Sequence, residues 1–303
     1  MVIGDKLPWG FIFRLHAPWL SATAATTVIA WVLTKQLEVK LPFTPVPFQI
    51  AGVALAIFLG FRNNSAYDRW WEGRKLWGGI VNASRSYARQ ITTLLHGGEP
   101  AELKALQKKI VYRHIAWMTA LRQALRGEPV GDLSAYLEAD ELKALSGQKN
   151  AAAFLLQRNG EDLAAAARRG WLTEFQLEMI DRSLTELTAL QGGCERIKST
   201  PIPTAYRVFT HRFTRVYITF LPLGLIEHME LGALPVVLAL SLAFLVLETL
   251  GRLLEDPFTL TPNGLALNAI TRTIEVNIRQ QLGETEVPAL LTPESRGGFQ
   301  VLL

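Results

Sequence analysis

One stretch of the chain, residues 41–61, constrains the fold more than any other. It carries no charged residue over 21 positions, close to the roughly 20 residues that a helix needs to cross the hydrocarbon core of a bilayer. Charged residues follow at once from Arg62, with no turn signal between the two parts. The pattern predicts one continuous helix that leaves a membrane and carries on into water.

The composition agrees with a membrane protein that has a large water-facing part. Hydrophobic residues make up 49% of the 303, and the mean hydropathy is +0.18, above the range of an ordinary soluble domain. The 19% of charged residues are too many for a chain that lies wholly in lipid. A single cysteine, Cys194, excludes a disulfide framework and a zinc cluster built on thiolates.

Four membrane spans are predicted, at residues 15–35, 42–62, 207–227 and 231–251. The third begins unevenly, because basic residues precede a short clean run. Residues 63–206 have helical patterning and almost no strand signal, with helices expected at 101–126, 133–145, 149–168 and 172–190, the last one ending at Gln-Gly-Gly. A further helix and tail fill 255–303. Because no flexible linker separates these parts, we expect an all-α protein with a single body over 1–303.

Basic residues near the ends of the spans predict the orientation in the membrane. Arg62, Arg69 and Arg74 follow the second span, and further arginines precede the third. Lys35 and Lys40, between the first two spans, oppose this balance but do not reverse it. Because positive charge collects on the cytoplasmic side, the helical region and both termini are expected there.

No motif supports enzyme chemistry. The five histidines lack the spacing of a shared metal site, and the chain has no nucleophile elbow, phosphate loop or H-E-x-x-H. His211 is expected to be hydrogen-bonded between helices, in preference to a proton relay. Basic pairs such as Lys108 with Lys109 lie beside acidic residues, which indicates a solvated face. We therefore predict neither an enzyme, nor a cofactor, nor a nucleic-acid partner.

The second span presents two distinct faces. Val53, Ile57 and Phe61 recur every four residues, and Asp68 falls in the same sector further along the helix. Beside this apolar stripe runs a ridge of small residues, Gly52, Ala56 and Gly60, of the kind that lets helices approach closely in lipid. In a ring of identical subunits the ridge would contact a neighbour and the stripe would face the axis. Periodicity alone favours the alternative, in which the stripe faces lipid or the protein core.

Three segments resemble the bestrophin family, in particular its bacterial members: IFLGFRNNSAYDRWWEGRKLWG, GGCERIKSTPIPTAY at 192–206 and LEDPF at 254–258. The resemblance implies a homopentameric ion channel of the bacterial inner membrane, in contact with lipid and with permeant monovalent ions. It also implies that Val53, Ile57 and Phe61 form an apolar neck and that Ile197 forms a cytosolic aperture. Asp68, Glu195 and Lys198 are then candidates for a selectivity ring.

Two departures from the family pattern bear on ions. Animal bestrophins carry an acidic run after the Pro-Phe that corresponds to Pro257 and Phe258, whereas this chain has Thr-Leu-Thr-Pro-Asn-Gly at 259–264. Without carboxylates there we expect no calcium site. The neck has aliphatic residues where the family has aromatic ones, similar to bacterial members that pass cations, and this favours cations such as sodium. A chloride channel and a non-conducting membrane-anchored scaffold are the alternatives.

Overall fold

The computed structural model describes residues 2–3, 9–39, 43–261, 263–296 and 299–302. Lys40, Pro262 and the first residues of the uncharged run, Leu41 and Pro42, lie outside these ranges. The described elements are helices α1 (Trp9–Lys35), α2 (Pro45–Leu94), α3 (Pro100–Arg126), α4 (Ala139–Ser146), α5 (Ala151–Arg168), α6 (Glu174–Ser199), α7 (Thr204–Met229), α8 (Ala233–Leu254) and α9 (Leu267–Gln281), and strands β1 (Val2–Ile3), β2 (Glu294–Arg296) and β3 (Phe299–Val301).

The chain divides into two compact units. The four-helix unit consists of Gly4–Trp70 and Pro201–Asp256, and so holds α1, the first part of α2, α7 and α8. The larger unit consists of Met1–Ile3, Trp71–Thr200 and Pro257–Leu303. The helix α2 is unbroken over its 50 residues. The prediction that the helix of residues 41–61 continues past Arg62 without a turn is therefore confirmed.

Three helical stretches are long and apolar enough to cross a membrane, and they are Ile12–Lys35, Pro45–Leu94 and Thr204–Leu254. The third stretch contains two helices, α7 and α8, with a 3-10 turn at Glu230–Gly232 between them. His211 contacts Glu248 and Tyr217 contacts Phe244, so later residues of α7 meet earlier residues of α8. The two helices therefore form an antiparallel hairpin.

The core of the four-helix unit is apolar and draws on every one of its helices. Its buried members include Ala30, Leu55, Leu59, Ile218, Leu221, Val237 and Leu245. Helix α1 packs against both α7 and α8. A Cβ atom built on Gly224 of α7 would lie 2.3 Å from the ring of Phe48, so the absence of a side chain at this position lets α2 and α7 approach closely.

In the larger unit, α6 is longer than the sequence predicts. The Gln-Gly-Gly segment at 191–193 was expected to end the helix, but α6 continues to Ser199. A Cβ on Gly193 would lie 2.7 Å from Leu76, and Gln191 accepts a hydrogen bond of 2.8 Å from Trp117. This packing outweighs the helix-propensity cost of about 1 kcal/mol for each glycine.

Two further details of the larger unit differ from the expectation. A helix was predicted over 133–145, but α4 covers only Ala139–Ser146 and the preceding residues form turns. The sequence analysis also missed a small antiparallel sheet, in which the strands lie in the order β1–β3–β2. Strands of two or three residues are too short to give a period-2 pattern, so they leave no signal in the sequence.

Candidate functional site

The apolar stripe of α2 is not part of the core of the four-helix unit. Val53, Ile57 and Phe61 have exposed fractions of 61%, 53% and 66%. The first two line a shallow groove whose other walls are Gln49, Ile50 and Ala54. An exposed apolar surface of this extent is rare on a monomeric soluble protein and indicates contact with lipid, with another protein or with a pore. The prediction that Val53, Ile57 and Phe61 lie on one face of the helix is confirmed.

The ridge of small residues divides into two parts. Gly52 is buried, and a Cβ atom there would lie 2.5 Å from the hydroxyl oxygen of Tyr217 in the same chain. Gly60 is exposed and has no described atom within 4 Å of such a Cβ, and Ala56 is also exposed. Gly52 therefore serves the packing of α2 on α7, whereas Ala56 and Gly60 leave a free surface.

Asp68 lies on the exposed face of α2. The nearby base Arg62 pairs with other carboxylates, and the Arg69 Nε donates to the backbone oxygen of Glu255 at 3.1 Å. Among the residues that the structure describes, no salt bridge to Asp68 is present. The carboxylate of Asp68 is therefore exposed to solvent, and its role in a selectivity ring stays a prediction.

A buried charge cluster lies where the uncharged run of α2 ends. The side chain of Arg62 is 0% exposed, and its guanidinium lies 3.5 Å from the Glu248 carboxylate and 3.3 Å from that of Glu255. It also donates to the hydroxyl oxygen of Thr210 at 3.2 Å. The cluster ties α2 to α7, α8 and the residue after α8, which fixes the helix that carries the exposed stripe.

Sequence reasoning had read Arg62 only as an orientation signal. A glutamate inside an apolar run, as Glu248 is, could have pointed to a buried partner, because charges at membrane depth pair with one another. His211 joins the same cluster, since its Nδ1 lies 3.1 Å from Glu248. The expectation of a hydrogen-bonded histidine between two helices is confirmed.

The residues assigned to the cytosolic aperture lie near the end of α6 in the larger unit. Ile197 has an exposed fraction of only 5%, so its side chain is not on the surface of the single chain. The Glu195 carboxylate accepts hydrogen bonds from Asn150 at 2.9 Å and from Gln191 at 2.8 Å. Lys198 is half-buried. The roles of these residues at an aperture stay predictions.

Two buried groups of the larger unit carry no charge near neutral pH. Burial lowers the pKa of His114 to about 3, and its Nε2 lies 2.9 Å from the Ser84 hydroxyl. Burial also raises the pKa of the Cys194 thiol to about 12, which makes it a poor nucleophile. These groups fill the core and supply no charge for catalysis or ion binding.

After Phe258, the hydroxyls of Thr259 and Thr261 lie 3.1 Å apart, and the absence of a calcium site stays a prediction.

The chain is similar in sequence to known proteins over nearly its whole length. The family described as "Bacterial/Fungal Bestrophin protein" matches residues 10–280. The chain is 35% identical to the protein of Escherichia coli (strain K12) named "Voltage-dependent anion channel-forming protein YneE", with 97% of this chain and 98% of that protein covered. It is 37% identical to the "Voltage-dependent anion channel-forming protein RSc3414" of Ralstonia nicotianae, with 94% and 95% covered.

Solved structures give the same result. A crystal structure of a bacterial bestrophin homolog from Klebsiella pneumoniae superposes with a TM-score of 0.82 at 32% identity and covers 88% of this chain and 98% of that one. A crystal structure described as a membrane protein with the substitution G264A superposes with a TM-score of 0.83 at 31% identity, with 89% and 99% covered.

Proposed function

The chain belongs to the family of bacterial and fungal bestrophins, and we propose that five copies of it form a passive channel for small monovalent ions. The observation that carries the proposal is the exposed apolar stripe of Val53, Ile57 and Phe61 on a helix whose opposite face, at Leu55 and Leu59, is buried in the core of the four-helix unit. In a ring of subunits this stripe would line the narrowest part of the pore. An apolar ring controls ion passage by expelling water, so the stripe would act as a gate more than as a filter.

The proposed channel crosses the membrane four times in each subunit. Helix α1, the first part of α2, α7 and α8 are the spans, because α7 and α8 form a hairpin and each exceeds the roughly 20 residues needed to cross. Lys35, whose charge opposed the predicted orientation, forms an ion pair of 2.7 Å with Glu230. This neutralised charge supports the orientation with cytoplasmic termini, and the inner membrane stays a prediction. The single body expected over 1–303 stays a prediction.

The charge of the permeant ion has two candidates. The bacterial relatives are named as anion channel-forming proteins, and these names favour an anion such as chloride. The cation preference expected from the sequence has no support in those names. The exposed carboxylate of Asp68, which has no salt bridge within the described part of the chain, favours a cation. The reversal potential in asymmetric salt decides between the two.

We expect Asp68→Asn to reduce cation preference if the cation candidate holds. Five negative charges, each about 10 Å from a cation in water, attract it with an energy of about 2 kcal/mol before screening by salt. A Debye length of about 8 Å at physiological salt leaves about 0.6 kcal/mol, or about threefold in local cation concentration. At 0.01 M salt the longer Debye length raises the expected factor to about tenfold.

The measurement is the reversal potential of the parent and of Asp68→Asn in a planar bilayer at both salt concentrations. Asp181→Asn is the matched control, because Asp181 is exposed on α6. A parent selective for chloride excludes the cation candidate. A cation-selective parent whose selectivity survives Asp68→Asn at low salt shows that Asp68 is not responsible.

The two parts of the ridge predict that substitutions affect different properties, namely assembly at Gly60 and the stability of the single chain at Gly52. Gly60→Leu should leave the single chain stable, because open space surrounds the position, but it should lower the yield of the assembled oligomer. Gly52→Ala should instead destabilise the chain by about 1–3 kcal/mol through overpacking against Tyr217. Size exclusion with light scattering measures the first effect, and thermal unfolding measures the second. A full-sized Gly60→Leu pentamer at normal yield would place the subunit contact elsewhere.

A further inference from the structure

Two arginines on α3 have no acidic partner among the residues that the structure describes. Arg122 and Arg126 are one turn apart and half-buried, and the Nε atom of each is buried without a hydrogen-bond partner. Within the described ranges their terminal nitrogens donate only to neutral oxygens of α9, since Arg126 donates to Asn268 at 2.7 Å and Arg122 to Thr271 at 3.5 Å. No described carboxylate forms an ion pair with either guanidinium.

Other partly buried arginines of the larger unit are compensated. Arg113, also on α3, forms ion pairs with Glu141 and Asp162. Arg279 on α9 pairs with Glu284. A guanidinium stays charged in a protein, so partial burial without a counter-ion is costly. Arg122 and Arg126 are therefore exceptions among the partly buried arginines that the structure describes in this unit.

The surroundings of the two arginines are positive overall. Burial lowers the pKa of both guanidiniums, and Glu128 lies near enough to oppose this shift but pairs with neither. Arg272 adds a positive charge that lowers the pKa of Arg122 further, although it pairs with Glu275 at 3.2 Å. The C-terminal dipole of α3 offsets part of the charge of Arg126, but it weakens within a turn and acts less on Arg122.

The beginning of α9 adds to the same field. Asn268, which accepts from Arg126, is the second residue of that helix. The N-cap Ala266 has no side-chain oxygen for the first amides, although the Leu267 N–H donates to the Leu265 carbonyl at 2.8 Å. The amides at a helix N-terminus carry a partial positive charge and bind anions.

We propose that Arg122 and Arg126, together with the first turn of α9, bind the phosphate group of an anion. Residues at i and i+4 have Cβ atoms about 5–6 Å apart, so one phosphate can accept hydrogen bonds from both guanidinium forks. Arginine suits this chemistry because its planar donors match phosphate oxygens. The site lies in the larger unit, does not involve the apolar stripe, and does not depend on the proposed channel function.

The test is a phosphate titration of thermal unfolding, on the full-length protein in detergent. Sodium phosphate is compared with sodium chloride at equal ionic strength. We expect a saturable stabilisation by phosphate, because an anion that binds the folded state alone raises stability. Arg122→Gln and Arg126→Gln should each raise the half-saturating phosphate concentration by about tenfold. Arg182→Gln, which removes an exposed pair with Glu178, should leave it unchanged.

A variant that should strengthen phosphate binding keeps the test valid even if the arginine variants fail to fold. Glu128→Gln removes the nearby negative charge and should lower the half-saturating phosphate concentration about threefold. An unchanged titration in Glu128→Gln, or equal titrations of the parent and the arginine variants, would overturn the proposal. So would arginine variants that lose oligomer mass while the parent shows no phosphate response, since the partner would then be a neighbouring copy.

A second arm distinguishes free phosphate from the phosphate of a lipid headgroup. Phosphatidylglycerol or phosphatidylcholine is added to the detergent micelles in place of sodium phosphate. Stabilisation by phosphatidylglycerol alone, lost in Arg122→Gln, assigns the site to an anionic headgroup. Stabilisation by sodium phosphate alone assigns it to a soluble ligand. If neither stabilises the parent, the site does not bind phosphate.

Discussion

Replacement of both Ile57 and Phe61 by alanine should raise the single-channel conductance about tenfold. Both side chains are more than half exposed on the stripe of α2, and in the proposed ring they narrow and dry the pore. Smaller side chains let water remain in this section, which lowers the barrier to an ion. A barrier lowered by about 1.4 kcal/mol corresponds to a tenfold higher rate.

The matched control is Val28→Ala with Val32→Ala on α1. These residues are also exposed and apolar, at 43% and 36%, and also four positions apart. In the proposed assembly they face lipid, so their replacement should leave the conductance unchanged. Planar-bilayer recordings of correctly assembled protein measure both variants. Equal conductance in the parent and the Ile57/Phe61 variant would remove this stripe from the pore.

Much of the helical architecture follows from residues that are local in sequence. The uncharged run at 41–61 with the amphipathic residues after it is enough to predict the long helix α2, because both parts keep the helical period. The helix ends at Leu94, just before Gly97 and Gly98, whose positive φ angles of 91° and 70° do not continue a right-handed helix. The same spacing also predicts that Val53, Ile57 and Phe61 share one face of the helix, but the exposure of that face could not be predicted from spacing.

The parts that could not be predicted depend on contacts distant in sequence. The helix α6 continues through Gly193 because Leu76 packs there, and no local signal reports this contact. The burial of Gly52 by Tyr217 likewise requires knowledge of where α7 lies. Arg62 is the clearest case, because its position after an apolar run equally suits a solvated anchor and a buried partner of two glutamates.

Removal of the charge at Arg62 should therefore cause a loss of stability as large as that of a truncated core side chain in the four-helix unit. In Arg62→Met, Glu248 and Glu255 would remain buried without their shared counter-ion, as their side chains are only 7% and 10% exposed. Breaking a buried pair in this way costs about 3–5 kcal/mol. Arg62→Lys should lose less, because the charge stays, but a single ammonium cannot reproduce the guanidinium fork that reaches both carboxylates.

The decisive comparison is with a variant that removes all three charges. Arg62→Met combined with Glu248→Gln and Glu255→Gln leaves no buried ion, so it should recover most of the stability that Arg62→Met loses. Thermal unfolding in detergent measures each variant, and Arg182→Met, which breaks only an exposed pair, should change stability by no more than about 1 kcal/mol. Recovery would show that the cost is the unpaired glutamates. If Arg62→Met and the triple variant are equally unstable, the guanidinium acts through its packing and its hydrogen bond to Thr210, and the two carboxylates do not need it as a counter-ion.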